Sequence, residues 1–262
     1  MSPPILVHAQ DALPDKFKID VGVFFVTEID TTVSITPTGA AAGVGALVEF
    51  EDVFGLGNSE RVPRIDGYYR FGKRSRVDFT YFKIDRDGTV VTPFDIDFGD
   101  AFFPAGTAVT SFFDEEVIKA SYGLSFYNVP KAELGISAGL FVSDISVGVS
   151  TVPGGASDKG TVTAPLPVIG AYFRYEMPKR WRFVGKVDFF YLEFDDFEGN
   201  LIDLRLNVEH QTWKNVGFGF GLNAIGTNLE VDDRDFRGEF DSTLQGVQAY
   251  VFTAFGKARY QQ

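Results

Sequence analysis

The chain has 262 residues, a formal net charge of -12, 28 Phe, 10 Tyr, 28 Gly and no Cys. The lack of cysteine excludes disulfides, thiolate metal sites and cysteine nucleophiles, and the acidic balance argues against a nucleic-acid partner. No run of 18 apolar residues is present, so no transmembrane helix is expected, whereas the aromatic and glycine enrichment favours an all-β chain.

The first fifteen residues are treated as an N-terminal tail outside the fold. Val7, His8 and Ala9 follow a short apolar run from Pro4 and form a cleavage site of the small-x-small type. Residues 1–9 are therefore interpreted as the remnant of a secretory signal, with a disordered tail as the alternative.

From residue 16 onward the sequence alternates with period two. In "WRFVGKVDFFYLEF", Trp181 to Phe194, the odd positions begin an apolar stripe while the even positions include Arg182, Lys186 and Asp188. A strand places these two sets on opposite faces of a sheet. The same pattern recurs and predicts ten strands, with eight or twelve as alternatives because "FGLGNSE" interrupts the second: 17–36, 43–72, 76–98, 107–127, 132–149, 162–176, 180–195, 200–211, 214–230 and 240–256.

The connections between these strands differ in length and charge at the two ends. Four short ones contain Lys or Arg, namely 72–75, 128–131, 177–180 and 212–215, whereas most of the others are long, and they are acidic. Short turns at one end and longer loops at the other are typical of a transmembrane β-barrel with both termini in the periplasm. A soluble sandwich or lipocalin-like barrel is the alternative, but the polar face is rich in Gly, Ser and Ala, and such small residues suit a crowded interior.

Three segments carry a family resemblance: "RVPRIDGYYRFGKRSRVDFTYFKIDRDG", "DIDFGDAFFPAGTAV" and "LQGVQAYVFTAF". Over residues 16–256 the chain resembles the small outer-membrane β-barrels of Gram-negative bacteria, the superfamily of OmpA-like and OmpW-like barrels. The resemblance implies an up-and-down antiparallel barrel in the outer membrane and recognition of a terminal aromatic residue by the barrel assembly machinery. Phe255 matches that residue, although residues 257–262 follow as an extension.

In this barrel the charged face points into the lumen. The sequence predicts eight inward cations and eight inward carboxylates, which should pair because an unpaired buried charge costs several kcal/mol. We expect these sixteen to form a lumen ion-pair network: Lys18, Asp20, Arg64, Asp66, Arg70, Asp78, Lys119, Glu133, Arg174, Glu176, Arg182, Lys186, Asp188, Asp203, Arg205 and Glu209.

Other chemistry has little support in the sequence. His8 lies in the tail, and His210 has lipid-facing parity beside a short turn, where it is interpreted as an interfacial anchor. No catalytic residue and no cofactor are predicted. Acidic residues crowd 114–116 and the 230–241 segment. Asp232, Asp233 and Asp235 are weak candidates for Ca²⁺ or Mg²⁺ ligands, with a solvated acidic loop as the alternative.

Two functions remain open at this stage. One is a closed barrel with a structural or surface-interaction role, whose acidic extracellular rim contacts lipid and lipopolysaccharide, directly or through Ca²⁺ or Mg²⁺. The other is a narrow, porin-like passive channel for small solutes, with a preference for cations. An outer-leaflet enzyme is a third, less supported, alternative.

Overall fold

The computed structural model describes residues 15–37, 46–98, 101–194, 197–233 and 236–257. The predicted tail residues 1–14, including His8, and residues 258–262 of the extension lie outside these ranges. Within the described ranges, no helix has the length and hydropathy needed to cross a membrane.

Ten long antiparallel strands form a single closed sheet. They are β1 (Asp15–Pro37), β3 (Glu60–Arg70), β4 (Ser75–Val91), β7 (Ala108–Val129), β8 (Ala132–Thr151), β9 (Ser157–Glu176), β10 (Trp181–Phe194), β11 (Phe197–His210), β12 (Val216–Asp233) and β13 (Phe236–Lys257). Each strand pairs with the next in this order, and β13 pairs back to β1, with Phe17 opposite Phe255. The predicted ten-stranded up-and-down barrel is confirmed.

The interruption at "FGLGNSE" separates two elements without adding barrel strands. A short strand, β2 (Ala46–Glu49), pairs only with the far part of β1, and a single helical turn, α1 (Phe50–Phe54), follows it. The second barrel strand then begins at Glu60, later than predicted. Likewise the third ends at Val91, and a separate hairpin of β5 (Ile96–Phe98) and β6 (Ala101–Phe103) follows.

The two barrel ends differ as the turn pattern predicts. At one end, here called the short-turn end, lie the start of β1, the end of β13 and four short connections, one of which contains the 3-10 turn Pro178–Arg180. The opposite, long-loop end carries two long connections, 38–59 and 92–107. Connections 152–156, 195–196 and 234–235 are shorter than predicted because the strands run further.

Side-chain direction follows the predicted alternation over the half of the barrel nearest the short-turn end. On β10, Phe189 is 47 % exposed, whereas its neighbours Asp188 and Phe190 are buried in the interior. Exposed aromatic residues also surround the short-turn end, Tyr69, Phe71, Phe126 and Trp213 among them. An apolar outer band with an aromatic border is the surface that a bilayer requires of a barrel.

Candidate functional site: the barrel interior

Charged side chains fill the interior near the short-turn end. All sixteen predicted inward residues make ion pairs there, and two residues that the sequence analysis did not select, Asp15 and Arg76, join them. We call this set of nine cations and nine carboxylates the charged layer. Arg76 has the parity of the inward Asp78 two residues later, so alternation extended to the first residue of the strand would have included it.

Glu133 is the centre of one group in the charged layer. Its carboxylate accepts two hydrogen bonds from Arg70 Nη2, at 2.7 and 2.9 Å, and one from Ser125 Oγ at 2.5 Å. Arg174 Nε lies 3.5 Å from the same carboxylate, and Arg174 Nη1 donates to Glu176 at 2.5 Å. Two arginines on different strands therefore share one buried carboxylate.

A second group crosses the lumen. Lys119 on β7 contacts both Asp188 on β10, at 2.8 Å, and Asp203 on β11. Asp203 accepts a hydrogen bond from Asn223 Nδ2 at 2.9 Å, and the side-chain Oδ1 of Asn223 accepts one from Arg64 Nη1 at 2.5 Å. These bonds connect opposite walls of the barrel and fill the space between them.

The group extends from Arg64 to a second shared carboxylate. Arg64 pairs with Asp66 at 2.8 Å, and Arg205 on β11 contacts the same carboxylate, which also accepts a hydrogen bond from Thr80 at 2.7 Å.

A third group lies where β1 and β13 close the barrel. Lys18 Nζ is 2.8 Å from Glu209, which also accepts a hydrogen bond from Tyr250 at 2.7 Å. Lys18 pairs with Asp20 on its own strand, and Arg182 lies 3.4 Å from Glu209. The seam between the first and last strands is thus joined to Glu209 on β11 by charge-assisted hydrogen bonds, which are the stronger kind, and Arg182 on β10 adds an ion-pair contact.

Glycine provides the space for the aromatic rings of the charged layer. A Cβ on Gly135 would lie 2.1 Å from the Tyr172 ring, and one on Gly219 would lie 2.4 Å from the Tyr250 ring. The small residues on the polar face therefore allow large side chains on neighbouring strands to cross the crowded lumen.

Beyond the charged layer the interior becomes apolar. A cluster of fourteen side chains, 0 to 6 % exposed, receives at least one residue from each of the ten barrel strands. We call it the apolar layer: Phe24, Val26, Ile29, Val62, Phe82, Ile84, Val117, Phe141, Leu166, Val168, Phe190, Leu201, Ile225 and Leu244. Strict apolar–polar alternation does not predict this layer.

The polarity of the outer surface changes in the opposite sense along the same strands. Beyond the outward residues Tyr81 and Ile118, the next outward positions are Lys83 and Glu116, which lie opposite each other in register. The barrel is therefore apolar outside and charged inside over one half, and polar outside and apolar inside over the other. Only the first half has the surface of a membrane-spanning barrel.

Residues 50–57, between β2 and β3, enter the long-loop end of the barrel. Phe54 of α1 and Leu56 pack with Phe103 of the β5–β6 hairpin in a second buried apolar cluster. We call residues 50–57 the plug segment. Gly88 on β4 permits its approach, because a Cβ there would lie 2.6 Å from the Gly55 carbonyl oxygen.

One buried arginine fastens the plug segment to the wall. Arg86 donates to Glu51 of α1 at 2.5 Å and to Thr31 on β1 at 2.8 Å, and its guanidinium lies over the Phe113 ring. Alternation places Arg86 on the same face as the inward Asp78, but its partner Glu51 comes from the connection whose path alternation does not predict.

The predicted acidic rim is described only in part. Asp235 and the side chains of Asp232 and Asp233 lie outside the described residues. Glu115, expected on the rim, instead points inward and accepts a hydrogen bond from Ser143 at 2.7 Å, because β7 continues through this position with strict alternation. Among the described residues, no cluster of His, Asp and Glu has the arrangement of a metal site.

Acidic side chains nevertheless line the outer surface towards the long-loop end. Four glutamates form a row across β10 to β13, each directly opposite the next in register: Glu193, Glu198, Glu230 and Glu239. His210, at the other end, is half-buried against Trp181, with ring centroids 4.7 Å apart, as expected of an outward aromatic position.

One comparison with a solved structure agrees with this architecture. No family model and no curated protein matches the chain. The outer-membrane protease OmpT from Escherichia coli has a similar solved structure, at 11 % identity and a TM-score of 0.59, covering 92 % of this chain and 97 % of that one. Weaker similarities include the transport unit of the autotransporter AIDA-I from E. coli, at 6 % identity, 97 and 93 % coverage and a TM-score of 0.45. The translocator domain of NalP from Neisseria meningitidis is 9 % identical, with 92 % of this chain and 88 % of that one covered and a TM-score of 0.41.

The chain therefore has the fold of a transmembrane β-barrel of the outer-membrane class. Within that class it is a closed antiparallel barrel of ten strands.

Proposed function

We propose that this barrel has a closed lumen and a structural or surface-interaction role in the outer membrane. The observation that carries the proposal is the apolar layer, to which every barrel strand contributes. Ions cross a membrane only with water or substitute polar ligands around them, and an apolar constriction excludes both. The plug segment adds a second obstruction in series beyond this layer.

The balance of the charged layer supports the same conclusion. A selective channel is expected to have an excess of one sign at its constriction. Here nine cations meet nine carboxylates and bond across the lumen, an arrangement suited to holding the walls together. The charged layer is accordingly assigned a structural role.

The surface role is assigned to the long-loop end, which we take to be extracellular, with the short turns and both termini in the periplasm. Directly opposed carboxylates such as Glu193 and Glu198 repel each other, so a cation or a basic partner placed between them would relieve the repulsion. Lipopolysaccharide bridged through Ca²⁺ or Mg²⁺ is the partner that this chemistry favours. During biogenesis the barrel assembly machinery would recognise the last strand.

The alternative function is a narrow passive channel. It is favoured by the partial solvent exposure of some lumen charges, such as Asp20 and Arg205. No enzymatic role is proposed.

Planar-bilayer conductance tests the closed lumen. The wild-type protein should be silent, while its heat-dependent migration in SDS gels confirms that the barrel is folded. Replacing Phe82 and Phe190 with alanine should produce brief openings, because both side chains belong to the apolar layer. Phe189→Ala is the matched control, since this neighbour faces outward, and it should leave the barrel silent. Steady conductance of the wild type would contradict the proposal and favour the channel.

A further inference from the structure

A cavity remains inside the charged layer. Its volume is about 90 Å³, enough for roughly three water molecules. Side chains of the charged layer form most of its wall, together with Tyr68 and Tyr250. Because this cavity lies on the short-turn side of the apolar layer, we call it the vestibule cavity.

Several side chains in the wall of the vestibule cavity keep partial solvent exposure. The side chains of Asp20 and Arg205 in its wall are 16 and 15 % exposed, and that of Asp78 is 14 % exposed. The residues of the apolar layer, further along the same strands, are almost fully buried. The cavity is therefore polar and is bounded on the long-loop side by the apolar layer.

The wall of the cavity carries more positive than negative charge. Only four of the carboxylates in the charged layer line it, whereas six cations do: Lys18, Arg76, Arg174, Arg182, Lys186 and Arg205. Glu133 and Asp188, which balance two of these cations, are behind the wall and do not line the cavity.

One of these cations has an unused donor. Arg174 is 6 % exposed, and Nη2 of its guanidinium has no hydrogen-bond partner among the described residues, although Nε and Nη1 each contact a carboxylate. Nε of Arg182, also in the wall, likewise makes no hydrogen bond and has only a 3.4 Å ion-pair contact with Glu209. A buried donor without a partner is costly, and an acceptor in the cavity would satisfy it.

We propose that the vestibule cavity binds a small oxyanion, of the phosphate or sulfate class, which enters from the short-turn end. Guanidinium groups match the geometry of such anions and bind them through parallel N–H donors. The volume admits one tetrahedral oxyanion. The same apolar layer that is proposed to block transport bounds this binding site on the long-loop side.

Calorimetry of the folded protein in detergent, titrated with inorganic phosphate and separately with sulfate, tests the proposal. The wild type should bind with saturation. Arg174→Lys keeps the charge facing Glu133 but removes the free Nη2, and it should weaken binding about tenfold or more, since a bond to a charged group is lost. Arg86→Lys is the matched control: this equally buried arginine lies beyond the apolar layer, so binding should be unchanged.

A second measurement applies even if Arg174→Lys does not fold. Phosphate, but not chloride at equal ionic strength, should raise the urea midpoint of the wild type, because a ligand that binds only the folded state stabilises it. Phosphatidic acid micelles should not displace phosphate, since the wall separates acyl chains from the cavity. Absence of both saturable heat and phosphate-specific stabilisation would overturn the proposal. So would weakening by Arg86→Lys instead of Arg174→Lys, or displacement by the lipid.

Discussion

Replacing Lys119 with methionine should destabilise the barrel strongly. Lys119 is the shared cation of Asp188 and Asp203, and the three side chains are 3, 1 and 2 % exposed. Breaking a buried ion pair costs about 3–5 kcal/mol because a charge is left without its partner. Asp188 keeps Lys186 at 3.5 Å, and Asp203 keeps the amide of Asn223 at 2.9 Å. We therefore expect the free energy of unfolding to fall by about 3 kcal/mol, the lower limit of this range.

Urea unfolding in lipid vesicles, followed by tryptophan fluorescence, measures this loss. Lys83→Met is the matched control, since its ion pair with Asp85 lies on the outer surface at 42 and 60 % exposure, and the midpoint should not change. Adding Asp203→Asn to Lys119→Met should recover at least about 1 kcal/mol, because one orphaned carboxylate is removed. A loss below about 1 kcal/mol for Lys119→Met would refute the reasoning, since that is the value of a pair that water screens.

Two further predictions concern the surface. Protease added to intact cells should cut near Asp158 or Asp233 and leave the turns at 128–131 and 177–180 intact, because the short-turn end is proposed to face the periplasm; cleavage at those turns instead would mean the reverse orientation. If the 230–241 segment binds divalent cations, calorimetry should show saturable Ca²⁺ binding that weakens in Asp232→Asn/Asp233→Asn but not in Asp95→Asn. No heat at millimolar Ca²⁺ would leave the segment as a solvated acidic surface.

Alternation was sufficient to predict the barrel, and it assigned sixteen charged residues to the lumen face. A strand has two faces, so once "VGKVDF" assigns Lys186 and Asp188 to one side, every second residue follows. Pairing partners could not be predicted in this way. Lys119 and Asp203 are far apart in the sequence and meet only because the sheet closes.

The apolar layer had a signal in the sequence that alternation alone overlooks. Several strands contain two consecutive apolar residues at the level where the polarity inverts, such as Phe24-Phe25, Tyr81-Phe82 and Phe189-Phe190. In each pair one side chain is buried in the lumen and the other faces outward. Each doublet breaks the apolar–polar alternation of its strand at one position only. A search for regular alternation therefore does not detect it.

The plug segment was beyond sequence reasoning for a different reason. Its place in the barrel depends on Gly88 and Arg86, which lie on a strand that it meets only in the folded barrel. A connecting segment has no periodicity that would reveal this contact. The interruption at "FGLGNSE" could indicate a break in the strand but not where the chain goes.

The polarity inversion also sets the depth at which the barrel sits in the bilayer. If the whole barrel moved in the bilayer by the length of two residues, roughly 7 Å along the strands, each outward residue would take the depth of the next residue on the same face. Sinking would carry Lys83 and Glu116 towards hydrocarbon, where the cost of a cation approaches roughly 2–4 kcal/mol at the midplane and that of a carboxylate is smaller. Rising would transfer Ile118 and Phe189 from lipid to water. Immersion is therefore fixed by where each strand changes polarity, and the length of the strands does not determine it.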